Sequence, residues 1–247
     1  MIQAESGMSL VTNGEEFSLH SGSVDSLLTV TEYESVWERQ WLSFRRAAYF
    51  SAKRSVDIAI SLTSLILLSP LFLLAAFMIK WHDGGPVFFR QERVGEGGRT
   101  FGCYKFRSMM INAQSLQQSL MKHSKHADPR TFKMANDPRI TAPGRFLRRF
   151  SIDELPQVLN VLLGDMSIVG PRPPLPSETK LYSKFDLRRL EVKPGLTCIW
   201  QVSGRSRVPF PEQVKLDVEY ISKQSLWLDF AIILRTVPAV LGGDGAE

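Results

Sequence analysis

The run Arg148-Arg149-Phe150-Ser151-Ile152-Asp153-Glu154-Leu155-Pro156-Gln157 sets two adjacent carboxylates behind a group of arginines. Ser151 and Glu154 fit the S-x-x-E capping box of a helix start, which accounts for Glu154 without any chemistry. Asp153 is left unexplained by it. Carboxylates at a helix N-terminus sit in positive potential, which favours their ionised form. An ionised Asp153 could attack phosphorus or hold a divalent cation. Arg145, Arg148 and Arg149 are spaced to share one face of a helix and could neutralise a phosphate or diphosphate. On pattern alone, a cap with solvated charges around it stays an open alternative.

Three further segments carry candidate chemistry. Gly164-Asp165-Met166-Ser167-Ile168-Val169-Gly170-Pro171-Arg172-Pro173-Pro174 reads as a rigid loop presenting Arg172 to a phosphate, with a polyproline II ligand as the alternative. Lys105-Phe106-Arg107-Ser108-Met109 closes a strand, where a solvated edge is the plainer explanation. Lys193-Pro194-Gly195-Leu196-Thr197, running on to Trp200-Gln201-Val202-Ser203-Gly204-Arg205, could line a ligand site or simply build a loop. Other signals lead nowhere. Gly95-Glu96-Gly97-Gly98 lacks the ending of a P-loop and reads as a hairpin turn. His123 and His126 sit among Lys122, Lys125 and Asp128, which suits a solvated face better than a metal site. No nucleic-acid-binding signature is present.

The elements that must position these residues can be read along the chain. Its 247 residues suit one moderate domain plus a tail. Seven acids precede the first basic residue, Arg39, so residues 39–247 set 18 acids against 30 Lys and Arg, about +12. A basic body points to an anionic partner: nucleic acid, a phosphorylated ligand or an acidic membrane surface. Cys103 and Cys198 are in no metal-like spacing and are expected as reduced thiols. Met1–Leu19 has neither a basic start nor an apolar run, so no secretory signal is expected.

Residues 1–35 read as a disordered acidic tail. Residues 36–52 mix aromatic and basic side chains, which suits an interfacial helix, with a buried amphipathic helix as the alternative. Val56 to Ile79 is the longest apolar stretch. As one helix it would be roughly 36 Å long against a hydrocarbon core of about 30 Å. Ser69-Pro70 falls inside it, and a proline there removes a backbone hydrogen bond and bends the chain. Basic residues flank both ends, so charge picks no direction across a membrane. A re-entrant helix-break-helix over 53–81 resolves this, a kinked full span being the alternative. Residues 82–247 read as a cytoplasmic α/β domain, mainly α with a small β-hairpin at Val87–Arg93 and Thr100–Arg107. Helices are expected over 109–124, Ile152–Leu163, Ser177–Leu190, Pro211–Lys223 and Leu226–Leu241.

Taken in order, Lys105–Met109, Asp137-Pro138-Arg139-Ile140-Thr141, Ser151–Gln157, Gly164–Pro173 and Lys193–Arg205 resemble the bacterial sugar transferases, the monotopic phosphoglycosyl transferases. The pairing of S-x-D-E-L-P-Q with G-D-M-S-x-V-G-P-R-P is highly specific. The resemblance covers about residues 53–241. It implies a monotopic membrane protein whose helix turns back at Ser69-Pro70, on the cytoplasmic face of the bacterial inner membrane. It implies transfer of a hexose-1-phosphate from a UDP-sugar to polyprenyl (undecaprenyl) phosphate, releasing UMP, as the first membrane step of exopolysaccharide or related glycan assembly. Asp153 would be the nucleophile, forming a covalent aspartyl phosphosugar. Glu154 would help hold Mg²⁺. Lys105, Arg148 and Arg172 would bind phosphate, and Asp217 would take a polar or metal-linked role. Inner-membrane lipid and other polysaccharide-assembly proteins are the further partners it suggests, and nucleic acid is not among them. The Trp200–Arg205 run resembles hexose transferases, hence glucose or galactose. The competing reading is a non-catalytic membrane-associated protein that binds anionic lipid or an assembly partner and has no need of Asp153.

Overall fold

The computed structural model describes residues 21–113, 115, 116 and 137–242, with side chains from residue 43 onward apart from Ser206 and Leu241. The chain divides into two compact units, residues 1–48 and 49–247. Helix α1 runs without interruption from Ser21 to Leu67. Residues 21–35, expected as irregular tail, are therefore helical, and the expected boundary at residue 52 is absent. Neither proline nor glycine occurs between residues 23 and 67, so a helix once nucleated extends at one hydrogen bond per residue. Residues 1–20 lie outside the described residues, as do most of the helix expected over 109–124 and both His123 and His126.

The break falls where the sequence places it. Helix α2 spans Ser69–Asp83, after a single residue, Leu68, outside either helix. Pro70 has no N–H to give the carbonyl of Ile66, and the Ser69 hydroxyl donates to that carbonyl instead, at 2.8 Å. The pair formed by Ser43–Leu67 and Ser69–Asp83 bends by 61°. Among the described residues no single helix is long and apolar enough to cross a membrane, whereas this bent pair passes the same test of length and composition.

Within the second unit α1 is amphipathic in reverse. Lys53, Asp57 and Ser61, one turn apart, are buried, while Val56, Leu62, Ile66 and Leu67 are exposed. Leu73, Leu74, Phe77 and Trp81 on α2 are exposed as well. The buried polar groups hold the domain. Asp57 accepts from the Ile168 N–H at 2.9 Å and from the Ser167 hydroxyl at 3.1 Å. Lys53 pairs with Asp229 at 2.8 Å. Arg54 donates to the carbonyls of Val161 and Leu162. Asp57 is thus a docking residue, because its carboxylate finds a strand end to bind.

The second unit is mainly helical with two small sheets. Strands β1 (Phe88–Val94) and β2 (Thr100–Phe106) form the expected antiparallel hairpin around Glu96–Gly98. A second pair was not foreseen: β3 (Ser167–Val169) lies parallel to β4 (Gly195–Thr197). Strands of three residues are too short to show a hydrophobic period. A Cβ on Gly195 would sit 2.1 Å from the Gly170 nitrogen, so the two chains meet only because both positions are glycine. Helices α3 (Ala142–Arg149), α4 (Val158–Leu163), α5 (Pro176–Thr179), α6 (Ile199–Ser203), α7 (Phe210–Ser222) and α8 (Leu226–Gly242) complete the unit. Ser177–Leu190 is not one helix. It breaks into α5 and a 3₁₀ turn at Asp186–Leu190, with Ser183 and Asp186 hydrogen-bonded to each other's backbone between them.

Two hydrophobic clusters flank β2. Cys103 belongs to one, with Val161, Met166, Val169 and Tyr220, and Phe106 to the other, with Ala75, Ile79, Leu147 and Ile152. Lys105 is thereby held between two packed cores. Both cysteines are free and buried.

Candidate active site

The dyad begins with a strained residue. Ser151 has φ 54°, left-handed for a residue with a side chain, and its hydroxyl makes no cap. The capping box expected of Ser151 and Glu154 does not form. A left-handed Ser151 cannot aim its oxygen down the helix axis, and Glu154 turns elsewhere. Ile152–Gln157 is a 3₁₀ turn containing Pro156, and only Val158–Leu163 is α-helical, so the one helix expected over Ile152–Leu163 is two elements. Gly164 ends it with φ 89°, as its position in the sequence suggests.

Four cations converge on the two carboxylates. Lys105 pairs with Glu154 at 2.5 Å. Arg148 donates to the Ser108 hydroxyl at 2.9 Å, which fixes its guanidinium beside the dyad. Helix α3, which carries Arg148, is capped by the Thr141 hydroxyl on the Gly144 N–H. A Cβ on Gly144 would lie 2.0 Å from the Ser108 carbonyl, so glycine sets how closely α3 approaches. Arg172 leaves the loop after β3. That loop is tied to β1 twice, by Val94 N–H to the Pro174 carbonyl and by Arg93 to the Pro173 carbonyl, each at 2.9 Å. Arg93 is the fourth cation. It is buried, and burial followed by the nearby Arg172 lowers its pKa to about 10.

The electrostatics divide the two acids. Asp153 is buried, and that burial, followed by the charge of Glu154, raises its pKa, with Lys105 and Arg148 pulling the other way. Burial acts on Glu154 in the same sense, but Lys105 at contact distance outweighs it, aided by Arg172 and Arg93, and holds Glu154 below its usual range. Glu154 is thus the settled anion. Asp153 is a carboxylate whose charge is destabilised by its surroundings.

Asp153, Glu154, Lys105, Arg148, Arg172 and Arg93 all line one open cleft of about 1840 Å³. Arg145 and Arg149 line it too, as their shared helix face implies, and so do Trp200, Gln201 and Arg205. Ser64 and Leu68 bring the helix break to the same cleft. The non-glycine residues with left-handed backbone among those described are Ser151 and Arg205, and both are in its wall.

Asp217 is placed differently. It does not line the cleft. It is 1 % exposed on α7 and bound to Arg189 at 2.7 Å. Burial raises its pKa to about 6, against the pull of Arg189 and then of Trp200. The structure places it behind the wall, where Asp217 and Arg189 back the Trp200 segment. Its sequence neighbourhood gave no sign of Arg189, which lies 28 residues away. Arg93 was also missed. A charged residue beside Val94 near the end of a strand is a weak hint of a buried guanidinium. Among the described residues no three His, Cys, Asp or Glu side chains converge to hold a metal ion.

The family model described as bacterial sugar transferase matches residues 48–243. The galactosyl transferase CpsE of Streptococcus agalactiae serotype III is 45% identical over 209 residues, 83% of this chain and 46% of that protein. The exopolysaccharide production protein ExoY of Sinorhizobium fredii is 44% identical over 192 residues, 76% of this chain and 85% of that protein. The undecaprenyl-phosphate galactose phosphotransferase of Salmonella typhimurium is 45% identical over 197 residues, 78% of this chain and 41% of that protein. The chain therefore spans less than half the length of CpsE and of the Salmonella protein, and most of ExoY.

Proposed function

Because the chain belongs to the bacterial sugar transferase family, we propose that it transfers a sugar-1-phosphate from a UDP-sugar to undecaprenyl phosphate. The observation that carries this reading is the pairing of a destabilised Asp153 carboxylate with Lys105, Arg148, Arg172 and Arg93 around one open cleft. Such a cleft fits a diphosphate, and the acid in it is buried beside the cations rather than neutralised by one of them.

A carboxylate oxygen of Asp153 attacks the β-phosphorus of the donor. The bond from that phosphorus to the bridging oxygen breaks, the electron pair stays with that oxygen, and UMP leaves. The acyl phosphate so formed carries the sugar. An oxygen of the lipid phosphate then attacks the same phosphorus, and the aspartate carboxylate is released unchanged. Lys105 and Arg148 lower the cost of bringing an anion to an anion, and Arg172 with Arg93 neutralises the diphosphate. Asp153 and Glu154 are hard oxygen donors side by side, and a magnesium ion commonly takes one or two carboxylates plus substrate phosphate. That donor set fits the ion, with Glu154 as its protein ligand. Bound there, magnesium would screen the charge of the diphosphate oxygens.

The reversed amphipathicity of α1 supports a membrane location at the cytoplasmic face of the inner membrane. A helix that buries Lys53, Asp57 and Ser61 and exposes Ile66 and Leu67 suits a surface that meets lipid rather than water. The 61° bend suits a pair that enters and returns, and Leu68 at the break lines the cleft that also holds Asp153. Galactose and glucose are the sugars to try first, since relatives carry both in their names.

The decisive experiment incubates the purified chain with a UDP-sugar alone and looks for a sugar-phosphate adduct on Asp153 by intact-protein mass spectrometry. An adduct with release of UMP is expected. Turnover without adduct in Asp153→Asn would overturn the mechanism, and a non-catalytic lipid-binding protein would show neither. Accessibility tags at residue 50 and at the C-terminus are expected on the same, cytoplasmic side, whereas opposite sides would mean a full span.

A further inference from the structure

Asn160 lies outside the motifs that carry the resemblance and outside the cleft, yet it has no exposed surface at all. Its environment gives the reason. Strand β1 pairs with one edge of β2 in a register that sets Lys105 opposite Phe89, and among the described residues the sheet stops at two strands. The other edge of β2 presents the Gly102 carbonyl and the Tyr104 N–H. They are two residues apart and so point the same way. Both are met by one side chain. The Asn160 amide Nδ2 donates to the Gly102 carbonyl at 2.8 Å, and its Oδ1 accepts from the Tyr104 N–H at 2.9 Å.

A carboxamide carries a donor and an acceptor side by side, as a peptide group does. Asn160 therefore acts as one peptide of an absent third strand. Alanine offers neither group, aspartate offers acceptors alone, and glutamine adds a methylene in a packed interior. The backbone of Asn160 is engaged as well: its carbonyl accepts from the N–H groups of Gly164, Asp165 and Met166, which closes α4.

Two short paths lead from Asn160 to the dyad. Along the chain, α4 continues directly from the 3₁₀ turn that holds Asp153 and Glu154. Across the hydrogen bonds, Tyr104 immediately precedes Lys105, whose ammonium contacts Glu154. We infer that Asn160 is a positioning residue of the proposed transfer, its side chain fixing β2 against α4 so that Lys105 stands at the right distance from Asp153 and Glu154. The inference rests on that functional reading and deepens it. Gly102 has no side chain with which to anchor β2 at this point, so loss of the amide frees the strand next to Lys105.

A double-mutant cycle separates this role from mere structural support. UMP release from UDP-galactose and UDP-glucose, with undecaprenyl phosphate as acceptor, is measured for the full chain and for Asn160→Ala, Lys105→Ala and the double variant. Asn160→Ala should lower kcat by about 10²-fold, the loss associated with a misplacement on the order of 1 Å, with KM nearly unchanged. Lys105→Ala should lower activity further, and the double variant should be no worse than Lys105→Ala. An equal loss from Asn160→Ala in both backgrounds, or a folded Asn160→Ala with undiminished kcat, overturns the inference. If Asn160→Ala does not accumulate as folded protein, Asn160→Asp takes its place in the cycle, because it keeps the volume and the bond to Tyr104 while losing the donations to Gly102 and Asp165. Asp153→Asn is assayed alongside. If it still releases UMP, Asp153 is not the nucleophile and the mechanism on which the role of Asn160 rests fails; if it is inactive while the cycle is additive, only the role of Asn160 fails.

Discussion

Asp153 and Asp217 are both buried aspartates whose pKa is raised by burial, yet they do opposite things. Asp217 is bound to Arg189 in the interior, and the two form a closed pair. Asp153 stands in the wall of a cleft among Lys105, Arg148, Arg172 and Arg93, where the ion pair closest to it belongs to its neighbour Glu154. A buried acid alone therefore does not mark a site. The mark is an acid left over after its neighbours have paired, next to a surplus of opposite charge and open space. Lys53 with Asp229 follows the Asp217 pattern and belongs to the architecture.

The largest effect that could break the comparison is on turnover. Asp153→Asn should reduce UMP release by at least about 10⁴-fold. It should not lower the melting temperature at neutral pH. An acid whose folded pKa is raised favours the folded state most below its unfolded pKa, and that contribution is lost as pH rises through the folded pKa. The neutral side chain avoids that loss. A variant that retained turnover, or lost stability with it, would place Asp153 beside Asp217.

Asp217→Asn should do the reverse, costing about 3–5 kcal/mol of stability by stranding Arg189, read as a lowered denaturation midpoint. Joint replacement of Arg189 and Asp217 by Met and Leu should recover much of that cost. Loss of turnover in a fully stable Asp217→Asn would return this residue to the site. Ser151→Val should cost about 1–3 kcal/mol, because a β-branched residue tolerates φ 54° poorly, while Ser151→Gly should be close to neutral. Equal stability of the two would show that the turn before the dyad is not held under strain.

The subtlest test is the pH profile. In the proposed transfer UMP release requires ionised Asp153, so kcat/KM should rise with pH along a limb lying above the ordinary carboxylate range, since burial and Glu154 both oppose the charge. Lys105→Met removes a cation that favours the charge and should move the limb to higher pH. A limb unmoved by that change would separate Lys105 from Asp153 electrostatically.

Much of this was legible in residue order. The Ser69-Pro70 break, the hairpin around Glu96–Gly98, the stop at Gly164 and the helices at Phe210–Ser222 and Leu226–Gly242 all follow from local rules of proline, glycine and periodicity. The capping box at Ser151 and Glu154 failed because a local motif competed with a cation 49 residues away, and the distant ion pair won. Ser177–Leu190 failed because Ser183 and Asp186 satisfy the backbone in a turn.

The sequence alone determined which residue types were present to do chemistry and where the apolar helix had to bend, because a missing N–H or a missing Cβ acts within a few residues of itself. Tertiary structure alone decided which charges stay open to a ligand. Asp57 and Lys53 turn inward, Asp217 closes on Arg189, and Arg93 joins the cleft through bonds or contacts with residues far along the chain. A charge is spent or spare according to what lies within a few ångströms in space, and that distance is set by packing.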